Sequence, residues 1–118
     1  MTIEKVRDHC LKKPGVTESF PFGGETLVFK VFGKIFCLGG LTPPFTINLK
    51  CDPELALELR EKFDGVTPGY HMNKTHWNTI ALNSNIKETE ILGWVDHSYD
   101  LVFNSLPMKL RNNLSGNK

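Results

Sequence analysis

Apolar residues first recur at helical spacing near the start of the chain. Ile3, Val6 and Cys10 share one stripe with Leu11 beside it, while Glu4, Lys5, Asp8, Lys12 and Lys13 cover the other sides. This spacing predicts a helix over 3–13, ended by Pro14-Gly15. The period then changes. After Ser19-Phe-Pro-Phe-Gly-Gly24, a loop of turn formers and aromatics, residues 25–32 have the β-branched and aromatic content of a strand. Gly33-Lys34 reads as a hairpin turn, 34–40 as the return strand, and Thr42-Pro43-Pro44 as a connector to a third strand over 45–51. There Ile47, Leu49 and Cys51 alternate with Thr46, Asn48 and Lys50, which predicts a sheet with one buried and one wet face.

Asp52-Pro53 is a strong helix start, with Leu55, Leu59 and Phe63 on the inner side and Asp64-Gly65 closing the segment. Residues 66–76 read as a loop, or at most a short strand, because Thr67-Pro68-Gly69 is turn chemistry. Residues 77–82 form a strand with Ile80 and Leu82 inward and Trp77, Thr79 and Ala81 on the opposite side. Asn85 and Glu88 resemble a capping box for a long last helix, whose buried stripe is Ile91, Val95, Tyr99, Val102 and Leu106. Pro107 ends or kinks it, and the last ~7 residues read as a flexible tail. The order α-β-β-β-α-β-(β)-α implies a single domain of the α+β class: a two-layer sandwich with an antiparallel sheet of four to five strands and three helices.

Composition narrows the class. With 118 residues, 40% hydrophobic and 23% charged, the chain fits one globular domain and is too apolar for a disordered segment. No apolar run approaches the ~18 residues of a membrane span, and the early charges oppose a signal peptide, so the expected location is the cytoplasm. Cys10, Cys37 and Cys51 are odd in number and lack a Cys-x-x-Cys spacing, as expected of reduced thiols. Net charge is only +1, but its distribution is uneven. Lys30, Lys34 and Lys50 lie between Thr26 and Lys50 without an acid, and Lys74 stands alone between Gly65 and Leu82, whereas residues 52–64 hold five acids against Arg60 and Lys62. With helices on one face of the sheet, the other face becomes mildly positive and suits a phosphate backbone; the same lysines also serve to block edge-to-edge aggregation.

The richest polar segment is Tyr70-His-Met-Asn-Lys-Thr-His-Trp-Asn78. Such residues can meet phosphates, stack on bases or frame a small anion; equally, the aromatics can pin the loop while Asn73 and Asn78 satisfy its backbone. His71 and His76 lack the spacing of a helical or finger-type metal pair, so no metal site is expected. Asp96-His-Ser-Tyr-Asp100 looks catalytic when read linearly, yet adjacent helical residues point in different directions and cannot form a triad. Cys10 and Cys51 fall on buried stripes, which oppose a reactive thiolate. Neither Phe22-Gly-Gly24 nor Leu38-Gly-Gly40 has phosphate-loop spacing. No catalytic constellation and no cofactor motif is identifiable.

Several strings together resemble the MmcQ/YjbR family of small, mostly bacterial proteins. They are Phe20-Pro-Phe-Gly23, Leu27-Val-Phe-Lys-Val31 with Gly33-Lys-Ile-Phe36, Asn48-Leu-Lys-Cys-Asp-Pro53, Pro68-Gly-Tyr-His-Met-Asn-Lys-Thr-His-Trp-Asn78, Asp96-His-Ser-Tyr-Asp-Leu-Val102 and Leu106-Pro-Met-Lys-Leu110. The resemblance implies a CyaY-like or secretion-chaperone-like α+β fold, and a DNA-binding role through strands and loops acting as a double wing. The matching positions are Lys30, Lys34, Asn48, Lys50, Tyr70, His71, Asn73, Lys74, His76, Trp77 and Asn78. Two departures thin the basic surface: Met108 stands before Lys109, and Phe45 follows the Pro-Pro pair, where the family often has bases. The leading expectation is a monomer that binds DNA weakly through phosphate contacts. A protein- or peptide-binding adaptor is the alternative, and a small-anion or ligand pocket at residues 70–78 the second.

Overall fold

The computed structural model describes residues 1–69 and 72–116, the final four of these as backbone only. Its elements run α1 (Ile3–Leu11), β1 (Val16–Ser19), β2 (Thr26–Val31), β3 (Lys34–Gly40), β4 (Thr46–Lys50), α2 (Pro53–Lys62), β5 (Val66–Pro68), β6 (Trp77–Ala81), α3 (Glu88–Asn104) and α4 (Met108–Gly116). The six strands form one antiparallel sheet in the order β1-β2-β3-β4-β6-β5, with helices on one side, so the α+β class is as expected.

The element counts differ from the sequence expectation at three places. β1 is an added edge strand, its four residues pairing with the end of β2, from Val16 opposite Val31 to Ser19 opposite Val28. Residues 66–68 do pair, as the short strand β5 on the opposite edge. Beyond Pro107 the chain re-enters a helix, α4, where a tail was expected over the last residues. The capping box also fails to form: α3 starts at Glu88 after Lys87, without a side-chain cap. Glu88 instead accepts from Lys5 Nζ at 2.9 Å, tying α3 to α1.

Local chemistry accounts for the rest. Thr2 caps α1 by accepting from the Lys5 amide, and Asp52 caps α2 by accepting from the Leu55 amide. The β2–β3 hairpin closes one residue earlier than read, on Phe32-Gly33, with Val31 opposite Lys34. Both turn residues have positive φ, +46° at Phe32 and +80° at Gly33, the requirement of the tight turns that match strand twist.

The core lies between the sheet and the helices. Val6, Cys10, Phe29, Phe36, Ile47, Leu49, Ile80, Ile91, Val95 and Val102 are buried there, and the predicted α3 stripe from Ile91 to Leu106 is its largest helical contribution. Register slips between Phe29 and Lys30, so Phe29 pairs Cys37 while Lys30 pairs Ile35. The extra residue, Phe36, thereby joins Cys37 in the core, and its ring meets Tyr99 edge-on at 5.4 Å. All three cysteines are buried and free. Contact with Cys10 and loss of solvent push the Cys37 thiol well above its ordinary range, and burial pushes Cys51 up to about 11, so neither offers a thiolate at neutral pH.

Candidate functional site

The sheet face away from the helices can be read row by row from the strand register. One row runs Ser19, Val28, Leu38, Asn48, Thr79 and Thr67 across all six strands. One step along the strands lie Lys30, opposite Thr17, and Lys50, opposite Trp77, with the β3 bulge between them. A step the other way are Thr26 and Gly40, then Thr46 and Ala81. Successive rows are two residues apart, hence about 7 Å.

This face is not the bare polar surface that the alternation in β4 suggests. Val28 and Leu38 stand on it and are buried, and Trp77, placed on it as expected, is only 8% exposed. Gly69 closes up on Trp77: its amide donates to the Trp77 carbonyl at 3.0 Å, continuing the β5–β6 pairing, and a side chain there would come within 3.0 Å of Trp77 Cβ. Gly69 is therefore a close-approach glycine. Alternation assigns a residue to a face, but what crosses that face is decided by tertiary structure.

The sequence-derived residues divide accordingly. Lys30 and Lys50 are half-buried on the outer face, Lys34 is exposed at the hairpin end, and none of them takes part in the ion pairs made among the described residues. Asn48 shares the face, but its Oδ1 already accepts from the Thr79 hydroxyl at 2.6 Å. Asn73 and His76 are exposed; Asn73 Oδ1 accepts from the Thr75 amide, closing an Asx turn. Tyr70 and His71 lie outside the described residues. Two positions depart from the expected surface. Asn78 faces the helices, is 1% exposed, and donates to the Ala56 carbonyl of α2. Lys74 turns toward α2, where it lines a depression with Pro53, Leu57, Arg60 and Thr75, apart from Lys30 and Lys50. Lys74 thus faces α2, whereas Trp77 is buried on the outer face and His76 is exposed between them in sequence.

Arg60, which the sequence shows only as one of two bases in an acidic helix, explains that arrangement. Its Nε donates to Asn78 Oδ1 at 2.7 Å, and its Nη2 donates to the carbonyls of Trp77, at 3.2 Å, and Lys74. One guanidinium thus fastens the loop and the start of β6 to α2. A lone Arg on a helix surface carries no signal of what folds against it.

The Asp96–Tyr99 segment is a clasp. Asp96 Oδ1 meets His9 Nε2 at 2.7 Å and Lys13 Nζ at 2.5 Å; His97 Nε2 accepts from the Asp52 amide at 3.2 Å; the Tyr99 hydroxyl donates to the Pro14 carbonyl at 2.7 Å. Ser98, wholly buried, accepts from the Lys50 amide and donates to the Phe36 carbonyl, joining β4 to β3 just beyond the end of their ladder. Four consecutive residues point four ways, as a helix requires, and each fixes a different segment.

Asp96 gives this clasp an acid dependence. Burial raises its pKa, but hydrogen bonds and charge from Lys13 and His9 outweigh that, and the net shift is downward. Its contribution is therefore complete above the unfolded carboxylate pKa of about 3.9 and is lost as pH falls through the lower folded value. Asp96→Asn is expected to flatten the acid limb of stability: urea midpoints should drop less between about pH 5 and about pH 2.5 than for the unsubstituted protein. Because the carboxylate is 45% exposed, the difference should be modest, and parallel acid limbs would show that the pairing is not held.

Among the described residues no group of three potential metal ligands assembles, and no helix is long and apolar enough to cross a membrane.

The sequence model of the YjbR family matches residues 11–101. Over 112 residues the chain is 33% identical to the uncharacterized protein YjbR of Escherichia coli K12, covering 94% of this chain and 95% of that one. Identity is 42% over 116 residues to the uncharacterized protein YyaQ of Bacillus subtilis, covering 86% and 98% respectively. Among solved structures, the Deinococcus radiodurans protein DR2400, with a DUF419 domain, superposes with a TM-score of 0.90 at 35% identity, over 97% of this chain and 88% of that one. The family-model match over residues 11–101 and identities of 30% or more over nearly whole chains show that the chain belongs to the YjbR family.

Proposed function

We propose that the outer face of the sheet binds nucleic acid weakly, through phosphate contacts rather than base-edge reading. The observation that carries this reading is the row holding Lys30 and Lys50, with Lys34 at the hairpin end: cations without carboxylate partners among the described residues, in segments free of acids. Neutralising about three phosphates gives a salt slope of roughly −2 to −3, so affinity for a short DNA should fall by roughly thirtyfold between about 50 mM and about 200 mM salt. Lys30→Gln with Lys50→Gln should weaken binding and flatten that slope in fluorescence anisotropy. Binding unaffected by salt and by both substitutions would sink the proposal. A peptide-binding adaptor is the second reading, favoured by the exposed Phe20, Phe22 and Leu41.

A further inference from the structure

Beside the lysine row, the outer face carries an apolar depression of about 350 Å³ lined by Phe22, Thr26, Leu38 and Met72. Its size lies within the roughly 300–1,000 Å³ range of small-molecule sites. Leu38 forms the floor from β3, and Thr26 supplies a hydroxyl from β2. Phe22 is 68% exposed, so its ring stands in water at the edge of this apolar surface, and Phe20 on the same loop between β1 and β2 is 49% exposed. Exposed aromatic surface gathered in one place marks a site of interaction.

We propose that this depression receives an unpaired nucleobase, stacked on Phe22, so that the face prefers single-stranded over duplex nucleic acid. The proposal rests on the nucleic-acid reading above and deepens it. Thr26 and Lys30 share the outer side of β2 four residues apart, and the Leu38 row lies between them, about 7 Å from the lysines. A base in the depression therefore places its own or the adjoining phosphate against Lys30 or Lys50. Of the acids nearest in sequence, Asp52 turns its carboxylate to the Leu55 amide at the start of α2. Apolar lining with a single hydroxyl gives stacking without an edge-reading set, so little sequence preference is expected. In a duplex both faces of each base are covered and cannot enter the depression.

The test compares three labelled probes at one salt concentration: a thymidine 12-mer, a DNA duplex of equal length, and an abasic deoxyribose-phosphate 12-mer. The thymidine strand should bind about tenfold or more tightly than either of the others, the loss expected when one or two stacking platforms go unused. Phe20→Ala with Phe22→Ala, both at exposed positions, should remove that margin while leaving the abasic strand unaffected. Lys30→Gln with Lys50→Gln should weaken all three. In methyl NMR, Leu38 and Met72 should shift with the thymidine strand only. Equal binding of all probes, still dependent on the lysines, would overturn the base pocket and leave the phosphate reading standing. No binding by any probe overturns both. An apolar peptide that binds this face through Phe22, with the thymidine strand unable to compete, would overturn the pocket assignment in favour of a protein partner.

Discussion

Ser98→Ala is expected to destabilise the protein by roughly 2–4 kcal/mol, although it removes a single oxygen atom. The hydroxyl is buried and joins the Lys50 amide of β4 to the Phe36 carbonyl of β3 just beyond the last pair of their ladder, Cys37 opposite Leu49. Without it both backbone groups stay buried and unpaired, and each such loss costs about 1–3 kcal/mol. Urea unfolding checks the magnitude. Ser98→Thr keeps the hydroxyl and should recover part of the loss, whereas a change below about 0.5 kcal/mol for alanine would mean that the bridge carries no weight.

Arg60→Met should have the next largest effect. Methionine keeps an apolar stem but removes the donors that reach Asn78, Trp77 and Lys74. Hydrogen bonds to a charged donor contribute about 1.5–3 kcal/mol, so a loss of roughly 2–3 kcal/mol is expected, with Asn78 Oδ1 left unpaired under α2. The readout specific to this clamp is local: amide exchange should speed up at Gly69, His76 and Cys51, whose N–H groups bond to the segment it holds, more than at Val28 or Phe29. Arg60→Lys should not restore protection, because an ammonium lacks the planar fork that spans three oxygens. Uniform change over the whole sheet would show a general rather than a local loss.

How much of this was legible depended on the range of the determining contacts. Ile91, Val95, Tyr99, Val102 and Leu106 were readable because helical periodicity repeats over many turns, and the faces of Ile47, Leu49 and Ile80 followed from strict alternation. β1 escaped because its four residues sit between Pro14-Gly15 and Phe20-Pro21, too short for a period to show. Asn85 and Glu88 had capping-box spacing, but the pairing of Glu88 with Lys5 belongs to tertiary structure. At the candidate site alternation puts Lys50 on the outer face and turns Asn78 inward, while the burial of Trp77 and the place of Lys74 beside α2 depend on tertiary contacts, the Arg60 clamp among them. The apolar depression escaped for a related reason. Phe22, Leu38 and Met72 come from three separate segments, two of them loops, and only the tertiary fold brings them together.

The clasp on α3 also bears on how the chain is made. Its partners Pro14, Phe36 and Lys50 lie 85, 62 and 48 residues away in sequence, and all of them leave the ribosome first. Until Asp96–Tyr99 follow, the Phe36 carbonyl and the Lys50 amide have no group to join them and the first helix packs on the sheet without α3, so the nascent sheet waits as an open template. Synthesis speed across residues 50–95 therefore sets how long unpaired strand edges are offered to other chains, a window in which a holding chaperone would matter more for this small protein than its finished stability suggests.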